Sequence, residues 1–287
     1  MKKKKKTKRS FKEFLSNVYL VLQRPELIVL PGQLAFFFVL AIVPTITLLS
    51  YFASSLNMST SFVYNFLTKT LNPNIASLVS NSLSNSELGL RFYLSLLLGY
   101  YLASNGAASM IVTSNAIYGI KDSGFFKRRI KAFIMTVFLI ILFLFMLTVP
   151  MFGQKIVELI KYVNLNPNIT ETIINVFRWL KGPFSWIIIF IFIKLIFTMA
   201  PDKKVPSKNV NIGALFTTVL WILVTYIYSL YINNLAYYDV FYGGLANLVI
   251  LMVWFYLLSL IFTIGLALNY REEEIELEKT GEINILK

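Results

Sequence analysis

Apolar stretches near or above twenty residues long alternate with polar punctuation along this chain, at 34–56, 90–112, 131–152, 184–200, 212–235 and 245–268. The hydrocarbon core of a bilayer is about 30 Å thick and takes roughly 20 helical residues to cross, so the pattern predicts six membrane spans. Runs such as Ala132 to Val149 are apolar without interruption, whereas a membrane β-strand alternates in polarity over about ten residues. Lipid offers backbone groups no hydrogen-bonding partner. The predicted fold class is therefore an all-α membrane protein, a bundle of about six transmembrane helices.

Shorter amphipathic elements flank the spans. Phe11, Phe14, Leu15, Val18 and Leu22 recur at helical spacing with Lys12, Glu13, Ser16, Asn17 and Gln23 between them, the pattern of an N-terminal helix lying in the membrane interface. The connections 57–89 and 153–183 are too long for plain loops in a compact bundle. Asn72 and Pro73 make a cap and first-turn pair ahead of Ile75, Leu78, Val79 and Leu83. Asn168 and Glu171 make a capping pair ahead of Ile173, Ile174, Phe177 and Leu180. Short outer amphipathic helices are expected at both places. The organisation is then a basic arm and interfacial helix at 1–30, a six-helix transmembrane domain at 31–270, and an acidic cytoplasmic tail at 271–287.

Composition agrees with a lipid-embedded chain: 57% of the 287 residues are hydrophobic and 14% charged, too few charges for an ordinary soluble domain. The formal charge of +13 matters less than its distribution. Basic residues crowd ahead of the first span (Lys2 to Lys6, Lys8, Arg9, Lys12, Arg24), in the second connection (Lys121, Lys127, Arg128, Arg129, Lys131) and in the fourth (Lys203, Lys204, Lys208). The first, third and fifth connections hold only Lys69, then Lys155, Lys161, Arg178 and Lys181, then none. By the positive-inside rule both termini face the cytoplasm. The Lys-rich start has no interleaved aromatic residue within its first ten positions, so it reads as a solvated arm that blocks translocation rather than a nucleic-acid site. With the helix behind it, it should hold anionic lipid headgroups at the cytoplasmic face. The late first apolar run lacks a small-residue cleavage site, and no processed signal peptide is expected.

The chemistry available is narrow. Cysteine and histidine are both absent, which removes thiol chemistry, imidazole bases and most transition-metal sites; no cofactor or metal is expected. No Asp or Glu falls inside any predicted span, and proton or sodium relays usually need such a carboxylate. Lys194 lies near the end of its span, where its stem can snorkel. The second span is the least lipid-like. Gly99, Ala103, Gly106, Ala107 and Ala108 give it a small-residue surface, and Ser104, Asn105, Ser109, Thr113, Ser114 and Asn115 add polar groups. Such a helix belongs in the middle of a bundle, its polar groups either bonding to neighbouring helices or lining a substrate path. Tyr100, Tyr226, Tyr228 and Tyr256 fall near mid-depth, where a phenol needs a partner or water. The candidate polar path comprises Ser104, Asn105, Ser109, Asn115, Tyr226 and Tyr256. Pro44, near the middle of the first span, frees a carbonyl four residues back and is expected to kink that helix.

These residues carry a resemblance. GQLAFFFVLAIVP from Gly32 to Pro44, and ASNGAASMIVTSNAIYGI from Ala103 to Ile120 with Asn115 and Tyr118, resemble the first two spans of the YihY/BrkB family, also known under the older name ribonuclease BN. Pro201, Gly213, Ala214, Trp221, Tyr231, Tyr238, Tyr242, Gly243, Leu245, Trp254, Tyr256, Gly265 and Asn269 fall in that family's order and spacing. In one departure, Ala267 stands where family members often carry a glutamate. The resemblance implies a multi-pass bacterial inner-membrane protein, with transport or lipid and envelope homeostasis as the expected role and no established catalytic residue.

The pattern bears on three functions. A transporter or lipid-handling protein would use a polar path along the second, fifth and sixth spans, by facilitated passage, since no coupling carboxylate is present. An envelope scaffold would dock partners on the outer helices and use the polar groups for packing alone. A ribonuclease would need clustered carboxylates with metal, or a His or Lys acid–base pair. The cytoplasmic acids are Glu13, Glu26, Asp122, Asp202 and a tail run from Glu272 to Glu282 that reads as solvated charge, so no enzyme activity is expected.

Overall fold

The computed structural model describes residues 11–55, 90–141, 167–234 and 243–280, and the regular structure within them is helical: α1 (Phe11–Leu22), α2 (Glu26–Ser55), α3 (Leu90–Ile117), α4 (described over 125–141), α5 (Pro167–Met199), α6 (Asn211–Asn234) and α7 (Ala246–Thr280), the last preceded by a 3₁₀ turn at Gly243–Leu245. The arm at 1–10, the Asn72–Pro73 helix signal and the rest of 57–89 lie outside the described residues.

Three helical stretches are long and apolar enough to cross a membrane, Gly182–Met199, Asn211–Tyr228 and Leu248–Arg271; a fourth results if Ser16–Leu22 and Glu26–Ala41, bent by 73° at their junction, count as one. Of the remaining expected spans, α3 has 28 residues but is interrupted by polar side chains between Ser104 and Asn115, and α4 is described only to residue 141. The break between α1 and α2 falls at Pro25, whose ring denies the helical conformation to Arg24 before it. α2 then runs unbroken through Pro31 and Pro44.

Two boundaries differ from those the pattern predicts. The capping signal at Asn168 and the span from 184 belong to a single 33-residue helix that starts at Pro167 and continues through Pro183. Pro183 stands at the N-terminal boundary of the apolar stretch Gly182–Met199, and the helix continues through it although an interior proline costs about 3 kcal/mol. At the other end, α7 continues past residue 271 to Thr280, so the first part of the acidic tail is helix.

The helix at the centre is α7, not α3. α7 packs against α1, α2, α3 and α6, while α3 packs mainly on α2. The reason lies in the distribution of side chains along α3: residues Ala103 to Tyr118 are largely buried, but Tyr93, Leu94, Leu97, Leu98 and Leu102 are exposed apolar groups suited to lipid. In the buried half, a Cβ on Gly106 would stand 3.1 Å from Phe38 Cδ1 of α2, so the glycine sets how closely those helices approach.

Side chains knit α6 to α7 along an antiparallel seam. The Asn269 Oδ1 accepts from the Gly213 backbone N–H (2.8 Å), Trp221 Nε1 donates to the Leu258 carbonyl (2.9 Å), Trp254 Nε1 to Thr225 Oγ1 (3.3 Å) and Tyr228 Oη to the Ile250 carbonyl (2.7 Å). Gly213 lies in the first turn of α6, where backbone N–H groups lack an intrahelical partner. Asn269 thus caps α6 from another helix. At this crossing a Cβ on Gly213 would overlap the Gly265 carbonyl oxygen, and one on Gly265 would overlap Thr217 Oγ1.

Candidate functional site: a buried polar seam and its closed end

α3 ends in a glycine turn. Gly119 has φ of +61°, a left-handed conformation that glycine adopts without strain. Its N–H donates to the Ala116 carbonyl (3.2 Å) and that of Ile120 to the Asn115 carbonyl (2.8 Å), the two bonds of a Schellman cap. This turn aims residues 120–124 across the end of the bundle, towards the loop that follows α5.

There Asn115 and Asp202 bind each other twice. Asn115 Nδ2 donates to Asp202 Oδ2 (2.8 Å), and the Asp202 backbone N–H donates to Asn115 Oδ1 (2.9 Å). The Ser123 backbone N–H adds a bond to Asp202 Oδ2 (3.2 Å). Lys131, at the start of α4, donates to the carbonyls of Ala200 and Pro201 (2.8 Å each) and to Asp202 Oδ1 (2.7 Å), which accounts for all three ammonium protons. Burial alone would raise the Asp202 pKa; the hydrogen bonds from Lys131, Asn115 and Ser123 outweigh it and hold the carboxyl down at about 2. The group is therefore a fixed anion at neutral pH. This constellation ties the ends of α3 and α5 to the start of α4.

A second cluster lies at the same end. Lys203 pairs with Glu273 (2.8 Å) and stands over the Tyr118 ring (4.8 Å); Tyr118 and Tyr270 meet edge to face (5.4 Å); the Arg24 guanidinium lies over Tyr270 (4.8 Å) and donates to the Ile117 carbonyl (3.3 Å). Glu274 pairs with Arg271 (3.2 Å). Glu273 is thus engaged with the loop after α5, while the Glu274 pair lies within α7. The α1–α2 joint, the ends of α3, α5 and α7 and the starts of α4 and α6 gather at this basic end, so the segments grouped by the charge pattern are grouped in space.

Beyond Asn115, toward the middle of the bundle, the hydroxyls fall into two kinds. Thr136, Thr198, Thr218 and Thr263 each donate to the carbonyl four residues back (2.7–2.8 Å), the usual way a helix absorbs a hydroxyl. Ser109, Thr113 and Ser114 of α3, Thr217 of α6 and Ser259 of α7 are almost wholly buried, and their hydroxyls have no such partner. The Asn269 Nδ2 is likewise buried and unpaired. Ser109 and Thr113, four apart, share one face of α3.

The six path residues predicted from sequence divide accordingly. Ser109 is one of the buried hydroxyls without a partner, and Asn115 is bound to Asp202. Ser104 is buried, but its Oγ donates to the Tyr101 carbonyl (2.7 Å). Asn105 Oδ1 accepts from Arg129 Nη1 (2.9 Å), whose guanidinium lies 3.5 Å from the Tyr101 ring centre. Tyr226 is 64% exposed and Tyr256 40%, both on the outer surface. Of the other two mid-depth phenols, Tyr100 bonds the Phe133 carbonyl (2.6 Å) and Tyr228 that of Ile250. Sequence reasoning did not single out Asp202, Lys131, Thr217, Ser259 or Asn269 for the site. Asp202 did carry a signal, as an acid directly after Pro201 in a basic connection.

A helical bundle with three to four stretches able to span a bilayer and an apolar exterior defines an integral membrane protein. The chain belongs to the BrkB family: the family model described as virulence factor BrkB matches residues 18–284. It is similar to the ribonuclease-like protein YfkH of Bacillus subtilis, 26% identical over 83% of this chain and 87% of the relative. UPF0761 membrane proteins of Idiomarina loihiensis and Pseudoalteromonas translucida match more locally, at 36% identity over 31% of this chain and 32% of the relative, and at 33% over 32% and 30%. No solved structure matches the chain.

Proposed function

We propose that the protein is a facilitative transporter of the bacterial inner membrane, moving a polar or amphipathic molecule along the interface of α3 with α7, with its basic end and both termini on the cytoplasmic side. The observation that carries this reading is the set of buried hydroxyls at Ser109, Thr113 and Ser114 of α3 and Ser259 of α7 left without partners. A buried polar group without a partner is costly, and neighbouring threonines show that the cheaper local bond was available. Hydroxyls kept free in this way suit successive, weak contacts with a passing solute. Asn115, Asp202 and Lys131 then close the cytoplasmic end of the path.

Phosphodiester cleavage finds less support. Asp202 has both oxygens occupied by Lys131, Asn115 and Ser123, and among the described residues no three acidic groups gather to hold a metal ion. The YfkH name is said of that relative; we read this chain as having no enzymatic activity.

Proteoliposomes test the proposal, with glycerol followed by light scattering and a fluorescent phosphatidylglycerol followed by dithionite bleaching. One of the two should pass faster than through protein-free vesicles, and Ser109→Val with Thr113→Val should slow it roughly tenfold, the worth of one hydrogen bond of about 1.4 kcal/mol. Tyr226→Phe, on the outer surface, should leave the rate unchanged. Equal rates for the double variant and the parent would refute a path through α3.

A further inference from the structure

Away from the seam, a groove of about 260 Å³ runs between α2 and α7, lined by Gly32, Ala35 and Val39 on one side and Met252, Val253 and Tyr256 on the other. Its walls are almost entirely apolar and it opens sideways beside exposed Phe36. In a span that crosses hydrocarbon, what enters such a groove is a lipid chain. We propose that it is a binding site for one acyl chain of an anionic phospholipid from the leaflet at the basic end, whose headgroup is held at Arg24.

The placement follows from the antiparallel course of the two helices. At their basic end Arg24 lies over Tyr270 of α7, and Phe38 meets Phe255 (5.7 Å) beside the groove. Arg24 and the groove therefore belong to one α2–α7 interface. At 1.5 Å per residue, Gly32 stands about 12 Å and Val39 about 22 Å from the level of Arg24, from the upper acyl region to near the middle of a ~30 Å core. A fatty chain anchored at the level of Arg24 reaches this interval, and a phosphate there meets a guanidinium. Gly32 makes the space: a Cβ at this position would meet nothing within 4 Å. Tyr256, predicted as part of the polar path, is a wall of this groove.

The site stands independently of the transport reading. Its test is native mass spectrometry of the full-length protein released from nanodiscs containing equal phosphatidylglycerol and phosphatidylcholine. One retained phosphatidylglycerol per chain is expected. Gly32→Leu, which fills open space, should lower its occupancy at least about fivefold while the helical circular dichroism stays as in the parent; Met252→Trp fills the groove from the other wall and should act alike. Arg24→Gln should abolish the preference for phosphatidylglycerol over phosphatidylcholine. Unchanged retention in both groove-filling variants, absence of retained lipid in the parent, or competition by millimolar glycerol phosphate, which has the headgroup chemistry without the chain, would each overturn the proposal.

Discussion

Asp202 concentrates the electrostatics of the bundle in one side chain. Its carboxyl is held at about 2 by donors on three segments, below the ordinary value of about 3.8. A depressed carboxyl contributes stability that is fully present above its unfolded value and is lost as pH falls through the folded one. The shift is worth roughly 2 kcal/mol, present at neutral pH and lost between about pH 4 and pH 2. Asp202→Asn should lower stability at pH 7 by about 2 kcal/mol, since the Lys131 ammonium loses its anion. Thermal unfolding in detergent should show the parent and variant converging as pH falls through that window. Curves that remain parallel down to pH 2 would mean that Asp202 is not a linked group. Asn115 was legible beforehand as a polar residue closing an otherwise small-residue helix. Its partner was not, because Asp202 lies 87 residues away and no helical periodicity relates the two.

At the scale of elements, the last two helices were the most legible. Gly213, Trp221, Trp254 and Asn269 are among the residues that carry the family resemblance, and the structure gives each a hydrogen bond across the α6–α7 seam. What sequence alone did not convey was the centrality of α7. Its apolar run looks the same whether it faces lipid or protein, whereas the polar residues of α3 suggested a buried helix, and only half of α3 is buried. Likewise the capping signal at Asn168 and the apolar run from 184 read as two elements, and the structure joins them in one helix through Pro183. The glycines separate packing from propensity. Gly265→Ala places a methyl group onto Thr217 Oγ1 with Phe197 Cζ only 3.0 Å away, and overpacking of this kind typically costs about 1–3 kcal/mol. Gly32→Ala meets open space and should instead gain about 0.5–1 kcal/mol of helix propensity. Melting temperatures that shift in opposite directions would bear this out; equal losses would show that α6 and α7 are not locked at their glycines.

The whole molecule is organised by its charged end. Contacts bring the α1–α2 joint, the turn after α3 and the loop after α5 together, and these are the segments whose Lys and Arg residues alternate with the poorly charged connections. A helix that crosses the membrane reverses the side of everything after it, so gathering of alternate connections requires an even number of crossings between them. From Arg24 to Lys131 and from Lys131 to Lys203, that number is two in the six-span arrangement. The absence of native cysteine makes this directly measurable. Single cysteines at Lys127 and Lys204, both exposed, should react with an impermeant maleimide only from the cytoplasmic side, and Leu245→Cys, exposed at the start of α7, only from the other. The three or four spanning stretches counted among the described helices place at least one of these positions differently if α3 and α4 fail to cross as a pair. Lys127 labelled from one face and Lys204 from the opposite face would therefore separate Lys131 from Asp202 by a bilayer, and with them the closed end of the proposed path.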